Sequence, residues 1–363
     1  MLIVFFTSCV ALLLTFLDSR RILPKGMTIG FVLVTLLGCI HYDYGNDYMS
    51  YYDIYKSIIS VKFNFAAVWS GIVYKEPGWA FLCYLFKPFG GFFMMVACLN
   101  IIQNVIIYRI IKSNVDQKWW PFATFIYLFS SSYYLLSFSM MRQMFVICVF
   151  FGLWSLIKQK KWYLVFLILL LCSSVHKSAL ILLPFSFAGL FPISRGRFAV
   201  ILYVFLYLTM WFAGDFMNDT MALFLSFDEF SNYAYYSKDT ANNTYRLGFI
   251  MNLIPLILSL IYIAKAKKEY KTDDKLMVML SIVSFIIAPF SEIIPVVGRI
   301  GLYFGSYQII AIPKVYSNVN NNLIRWGVLF VFCFMTMHGY FGFFSSPVYR
   351  DSYSTFHTIF SVL

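Results

Sequence analysis

The chain has 363 residues, of which 61% are hydrophobic and 12% charged, with a mean hydropathy of +0.76. Soluble domains carry about 25% charged residues, so the composition excludes a soluble globular protein and predicts an integral membrane protein. The formal charge of +12 does not point to nucleic acid, because the Lys and Arg residues form short groups beside apolar runs and no stripe or arm.

The first apolar run, 2–17, has no basic leader and no small-residue cleavage site before Asp18, and it reads as a retained first helix. Further runs follow at 27–42, 92–111, 119–138, 141–157, 162–175, 178–193, 198–214, 247–264, 276–290, 300–313 and 326–344. Several are shorter than the roughly 20 residues of an upright span, so their ends extend into flanking polar residues. The expectation is an all-α polytopic bundle of about 12 transmembrane helices in a single domain over 1–363. Residues 78–90, with Lys87 and Pro88 inside and Pro77 before, are too few to span and predict a re-entrant or interfacial helix.

Two long loops fall on one side. In 43–77, Tyr48, Tyr51, Tyr52 and Tyr55 share one helical face, with Asn46 as an N-cap candidate. In 215–246, aromatic residues alternate with acids and amides, a texture suited to a membrane surface or to sugar rings. The gaps on the other side gather 18 of the 28 basic residues but only five of the 16 acids. The positive-inside rule makes that side cytoplasmic and puts both termini outside, which in a bacterial inner membrane is the periplasmic face. All seven cysteines lie in or beside apolar runs without a C-x-x-C pair, so neither disulfides nor a metal knuckle is expected.

Chemistry would sit among the charges of the outer side. Arg142 and Arg299 interrupt apolar context at helix mouths, and Arg246 closes the second long loop. Three such arginines could converge on one diphosphate through forked, charge-assisted hydrogen bonds, whereas a lone interfacial arginine more often snorkels to lipid headgroups. His176, followed by Lys177, stands where the sixth run emerges and could serve as a base, a donor or a helix-turn cap. Asp47 and Glu76 are the outer carboxylates most open to tuning by desolvation, with a solvated loop acid as the plain alternative. The four histidines lack metal-ligand spacing, and the chain has no Walker loop, G-x-G-x-x-G, H-E-x-x-H or G-x-S-x-G motif.

The ordered set Asp43, Tyr44, Gly45, Asn46, Asp47, Tyr48; Glu76, Pro77, Gly78; Met141, Arg142, Gln143; His176 to Ile181; and Arg299 before Tyr303 and Phe304 resembles the EpsG-type exopolysaccharide and O-antigen (Wzy) polymerases. The resemblance implies a multi-pass inner-membrane glycosyltransferase that needs no cofactor. It would join undecaprenyl-diphosphate-linked oligosaccharide repeat units into O-antigen, capsule or exopolysaccharide at the periplasmic face. Its partners would be that lipid-linked oligosaccharide and membrane lipid, with room for a chain-length regulator protein and none for nucleic acid. On this reading Arg142, Arg246 and Arg299 clamp the diphosphate, with Lys177 also binding substrate. Asp47 is the first choice of base, ahead of Glu76 and His176, and Tyr48, Tyr51 and Tyr52 hold saccharide. The competing expectations are a lipid-linked oligosaccharide flippase, which calls for charges through the middle of the bilayer, and a membrane glycosyltransferase adding one sugar from a polyprenyl-phosphate donor. An acyltransferase built around His176 is a third.

Overall fold

The computed structural model describes residues 1–190, 196–212, 244–265, 272–293 and 295–361. They form two compact units, Met1–Leu190 with Thr336–Leu363, and Phe191–Met335. Each is described by itself.

The first unit is built on helices whose apolar residues outnumber anything one amphipathic face would need, as expected where lipid replaces water. Helices α1 (Leu2–Ser19) and α2 (Gly26–Ile40) form a hairpin. Then come α3 (Tyr48–Ser60), the single turn α4 (Phe65–Trp69) and α5 (Pro77–Phe86). The long α6 (Gly91–Asn114), α7 (Trp120–Phe129), α8 (Met141–Gly152), α9 (Trp154–Lys158) and α10 (Trp162–Val175) follow, leading into a tightly wound 3-10 run, Lys177–Leu190. Polar pairs join neighbouring helices: a half-buried one, Thr28 with the Tyr108 hydroxyl at 2.8 Å, and a buried one, the Tyr127 hydroxyl donating to Asn104 Oδ1 at 2.9 Å.

The second unit holds α11 (Gly196–Phe212), α12 (Thr244–Ala264), α13 (Thr272–Ile293), α14 (Pro295–Gly305), α15 (Gln308–Ser317) and the start of α16 (Asn322–Ser345). Its α13 and α15 are tied by Lys314 to Asp274 at 2.5 Å and by Gln308 to Ser284 at 2.6 Å.

The all-α membrane class holds, but the run-by-run expectation needs correcting. Among the described residues four helices are long and apolar enough to cross a membrane: Leu2–Ser19, Gly91–Asn114, Met141–Lys158 and Asn322–Ser345. The run expected at 119–138 is broken. Helix α7 stops at Ser130, whose backbone is extended, and a π turn, Ser131–Leu135, follows. Three successive serines here offer hydroxyls that compete for backbone hydrogen bonds, and Ser130 Oγ accepts from the Ser132 amide. The run at 300–313 is likewise split, between Gly305 and Gln308. The short helix expected within 78–90 is α5, whose 10 residues reach about 15 Å at 1.5 Å per residue.

The ends of the first unit differ in character. Near the basic groups of the α1–α2 and α6–α7 turns, Gln117 Nε2 donates to Asp18 O at 3.0 Å, and Trp154 Nε1 to Asn114 Oδ1 at 3.1 Å. The opposite helix ends carry a two-stranded ribbon, β1 (His41–Tyr42) with β2 (His357–Thr358), paired antiparallel with His41 opposite Thr358. The residues before β2 cap loop 43–47: Tyr353 is buried against Tyr44, and its hydroxyl donates to Leu135 O at 3.0 Å. Gly45 has φ +119, and a Cβ there would lie 2.8 Å from the Phe138 carbonyl oxygen. Only glycine lets the loop press so closely on the turn leading into α8.

Candidate functional site

Three residues far apart in the chain meet where α5 starts, α8 starts and α10 ends. Glu76 immediately precedes Pro77, a residue suited to the first helical turn because its missing N–H would be unpaired there. The carboxylate is almost fully buried, at 4% exposure, and both of its oxygens are engaged. Oε2 accepts from Arg142 Nη1, while Oε1 accepts from His176 Nδ1 and from the Lys177 backbone amide, both at 3.1 Å. Burial alone would raise the Glu76 pKa. The hydrogen bond from His176, the Arg142 charge and the Lys177 amide outweigh it and hold the carboxyl below its ordinary 4.5.

Arg142 lies in the first turn of α8 with its guanidinium among aromatic rings. Its Cζ stands 5.0 Å from the Tyr51 ring centroid, 5.6 Å from Tyr74 and 5.9 Å from Trp79. Nη1 also donates to the Tyr74 hydroxyl at 2.7 Å and Nε to the Tyr51 hydroxyl at 3.5 Å. Burial pushes both phenols up, so they stay neutral acceptors. Nη2 donates to none of the described residues, so two of the five guanidinium N–H groups remain for a ligand.

His176 ends α10 in an extended conformation. A carboxylate oxygen only accepts, so Nδ1 carries the proton and Nε2 of the neutral ring is left with a lone pair. This carboxylate–imidazole pairing is the arrangement that orients a histidine base in many hydrolases and transferases.

Gly78 makes the meeting of α5 and α10 possible. A Cβ at Gly78 would lie 2.2 Å from Ser174 Oγ and 2.9 Å from the Ser174 carbonyl carbon. Gly78→Ala is therefore expected to push α5 off α10, to cost about 1–3 kcal/mol and to loosen the Glu76–His176 contact. A lowered melting temperature in detergent checks this. A second expectation follows from the lowered Glu76 pKa. The cluster's stabilisation is fully present above pH 4.5 and disappears as pH falls through the depressed native value. Wild type should therefore lose melting temperature on acidification below about pH 4.5, and Glu76→Gln should lack that part of the loss.

Of the residues singled out in the sequence, the structure brings together Glu76, Arg142, His176, the Lys177 amide and Tyr51. Asp47 stands at the start of α3, exposed, with its amide donating to Ser139 Oγ at 3.2 Å. Its charge acts on Tyr51, so it borders the cluster. Asn46 is not the helix cap: the cap position is Asp47, and the Asn46 amide donates to Val348 O at 2.8 Å. Tyr48 is packed away from any ligand, fully buried beside Phe92 with its hydroxyl on His41 O. Tyr52 is half-buried on Phe92 and Phe93, and the Lys177 side chain is exposed. Arg299, half-buried on α14, belongs to the second unit. Arg246 is in the first turn of α12 and its side chain, like loop residues 215–243, lies outside the described residues. Sequence reasoning missed Tyr74 and Trp79. In a chain with 21% aromatic residues neither stands out, although both lie within three residues of Glu76.

The sequence profile of the EpsG family matches residues 25–355, a span that holds every member of this cluster. No curated protein and no solved structure matches the chain.

Proposed function

The chain belongs to the EpsG family, and from that premise we propose that it is a membrane glycosyl polymerase joining polyprenyl-diphosphate-linked oligosaccharide repeats on the outer side of the bacterial inner membrane. The family match supports a polysaccharide-polymerase type of membrane protein. The single observation that carries the finer reading is the buried Glu76, which holds Arg142 on one oxygen and His176 on the other.

The chemistry then divides as follows. The acceptor is a sugar hydroxyl at the non-reducing end of a new lipid-linked repeat. Its oxygen bonds to the anomeric carbon of the growing glycan, and the bond from that carbon to the carrier diphosphate breaks. The polyprenyl diphosphate departs with the bonding electron pair. On this reading the Nη2 edge of Arg142 receives charge on the leaving phosphate oxygens, a role for which a planar fork is better suited than an ammonium. His176 Nε2 takes the hydroxyl proton. Glu76, which ranked as a candidate base from sequence, instead positions the other two, since its oxygens are already occupied. Asp47 is the remaining candidate for the proton. Tyr52, half-buried beside Lys56, stays in the proposal as a contact for saccharide.

The outer-side assignment rests on charge sorting. The cluster stands at the helix ends away from Arg20, Arg21, Lys25, Lys112 and Lys118, and basic residues favour the cytoplasmic side. Surface-glycan gels of a strain lacking the chain test the reading. Accumulation of single capped repeats is the expected result. Loss of all outward-facing glycan would replace it with a flippase, and normal ladders missing one sugar with a single-addition transferase.

A further inference from the structure

The charge pattern leaves ten basic residues outside the basic gaps, and four of them, Lys56, Lys62, Lys75 and Lys87, fall within one stretch of the first unit. All four are exposed. The only carboxylate between Asp53 and Asp116 is Glu76, and it is spent on Arg142 and His176. This stretch is therefore a cationic surface without internal counter-charge.

It is also apolar. Phe63, Phe81, Tyr84, Leu85, Lys87 and Pro88 line an open groove of about 520 Å³. Its walls are braced from within: the Tyr84 hydroxyl donates to Ile58 O at 2.8 Å, and Lys87 Nζ donates to Ile59 O at 2.9 Å. Beside it Phe65 and Trp69 stack with ring centroids 5.8 Å apart, both largely exposed. Ile72, three residues beyond Trp69 in the chain, is 81% exposed. Exposed aromatic residues interleaved with lysines mark a segment that lies in the headgroup layer of a membrane.

We propose that the groove is a binding site for an anionic phospholipid of the bilayer. One acyl chain lies along Phe63, Phe81 and Leu85, and the headgroup phosphate sits at Lys87 and the neighbouring Lys62. A headgroup of zero net charge would leave the charge of the two lysines without net compensation. A soluble anion would leave the apolar lining bare. Only an amphiphile satisfies the two together. The assignment stands apart from the polymerase reading, since none of these residues belongs to the Glu76 cluster.

Native mass spectrometry of the purified full chain tests it, with phosphatidylglycerol and phosphatidylcholine of matched chains in competition. Wild type should retain phosphatidylglycerol in preference, and Lys62→Gln with Lys87→Gln together should reduce that preference by roughly an order of magnitude. Lys87→Arg, which keeps the charge, should keep it, so a loss from misfolding is recognised. Phosphatidylglycerol carrying a photoreactive acyl chain should cross-link at Phe63 or within residues 81–88. Equal retention of the two lipids, an unchanged preference in the double variant, or cross-links elsewhere would overturn the proposal. So would displacement of phosphatidylglycerol by an equimolar polyprenyl phosphate, which would give the groove to the substrate's own chain.

Discussion

Arg142→Lys is expected to lower polymer formation by about 10²-fold or more while leaving the protein inserted and folded. A lysine keeps the positive charge beside Glu76, so the buried carboxylate is not stranded. What it loses is the fork. Arg142 spends Nη1 on Glu76 and Tyr74 and Nε on Tyr51, and still has Nη2 to offer. An ammonium gathers its three N–H groups on one atom and cannot hold the wall of the site and a phosphate at once. Arg142→Ala is the less informative change. It leaves Glu76 buried beside no cation, and breaking such a pair costs about 3–5 kcal/mol, so loss of activity would be mixed with loss of fold. The combination Arg142→Ala with Glu76→Gln removes the stranded charge and should recover much of the stability but none of the polymer. Melting temperature and glycan ladders, measured together, separate the two effects.

The second large effect is expected at His176. His176→Gln should slow transfer by about 10²–10⁴-fold, the usual contribution of a positioned general base, with little change in stability, because glutamine can still donate to Glu76. Glu76→Gln acts through the histidine: it removes the acceptor-only partner that fixes the proton on Nδ1. It should therefore depress kcat with little change in KM, a split that a purely structural role would not give. If His176→Gln retains the rate and Asp47→Asn abolishes it, the base is Asp47 and the histidine is a support.

How much of this could be read from the chain alone differs between levels. The membrane class was legible from composition, and Arg142, Glu76 and His176 could be singled out as candidates because each violates its surroundings. Arg142 interrupts apolar context, Glu76 sits in an acid–proline–glycine turn, and His176 terminates a run. Their meeting was not legible. Glu76 is 66 residues from Arg142 and 100 from His176, and what closes those gaps is the angle of α5, set by a glycine pressed on Ser174. No periodicity encodes such a contact. For the same reason the sequence could rank Glu76 only as a candidate base behind Asp47, since a carboxylate's partners decide what it is still able to accept. Tyr48 illustrates the reverse error. The i, i+3, i+4, i+7 spacing places Tyr48, Tyr51, Tyr52 and Tyr55 on one face correctly, but the face turns inward, toward Phe92 and Trp79. In an aromatic-rich membrane protein the same stripe serves packing or sugar binding, and only its neighbours distinguish them. The breaks at Ser130 and Ser306 escaped notice because hydropathy averages over a serine or two, whereas helix continuity depends on each backbone hydrogen bond.

Reconstitution is the most direct measurement of the central claim. The purified chain, placed in liposomes with lipid-linked repeat units and no other enzyme, should produce a ladder of whole repeats and release one polyprenyl diphosphate for each link formed. Arg142→Lys protein in the same liposomes should leave the repeats single. If wild type forms no link, adds only single sugars, or makes the same ladder when Arg142 is lysine, the account of this site is wrong.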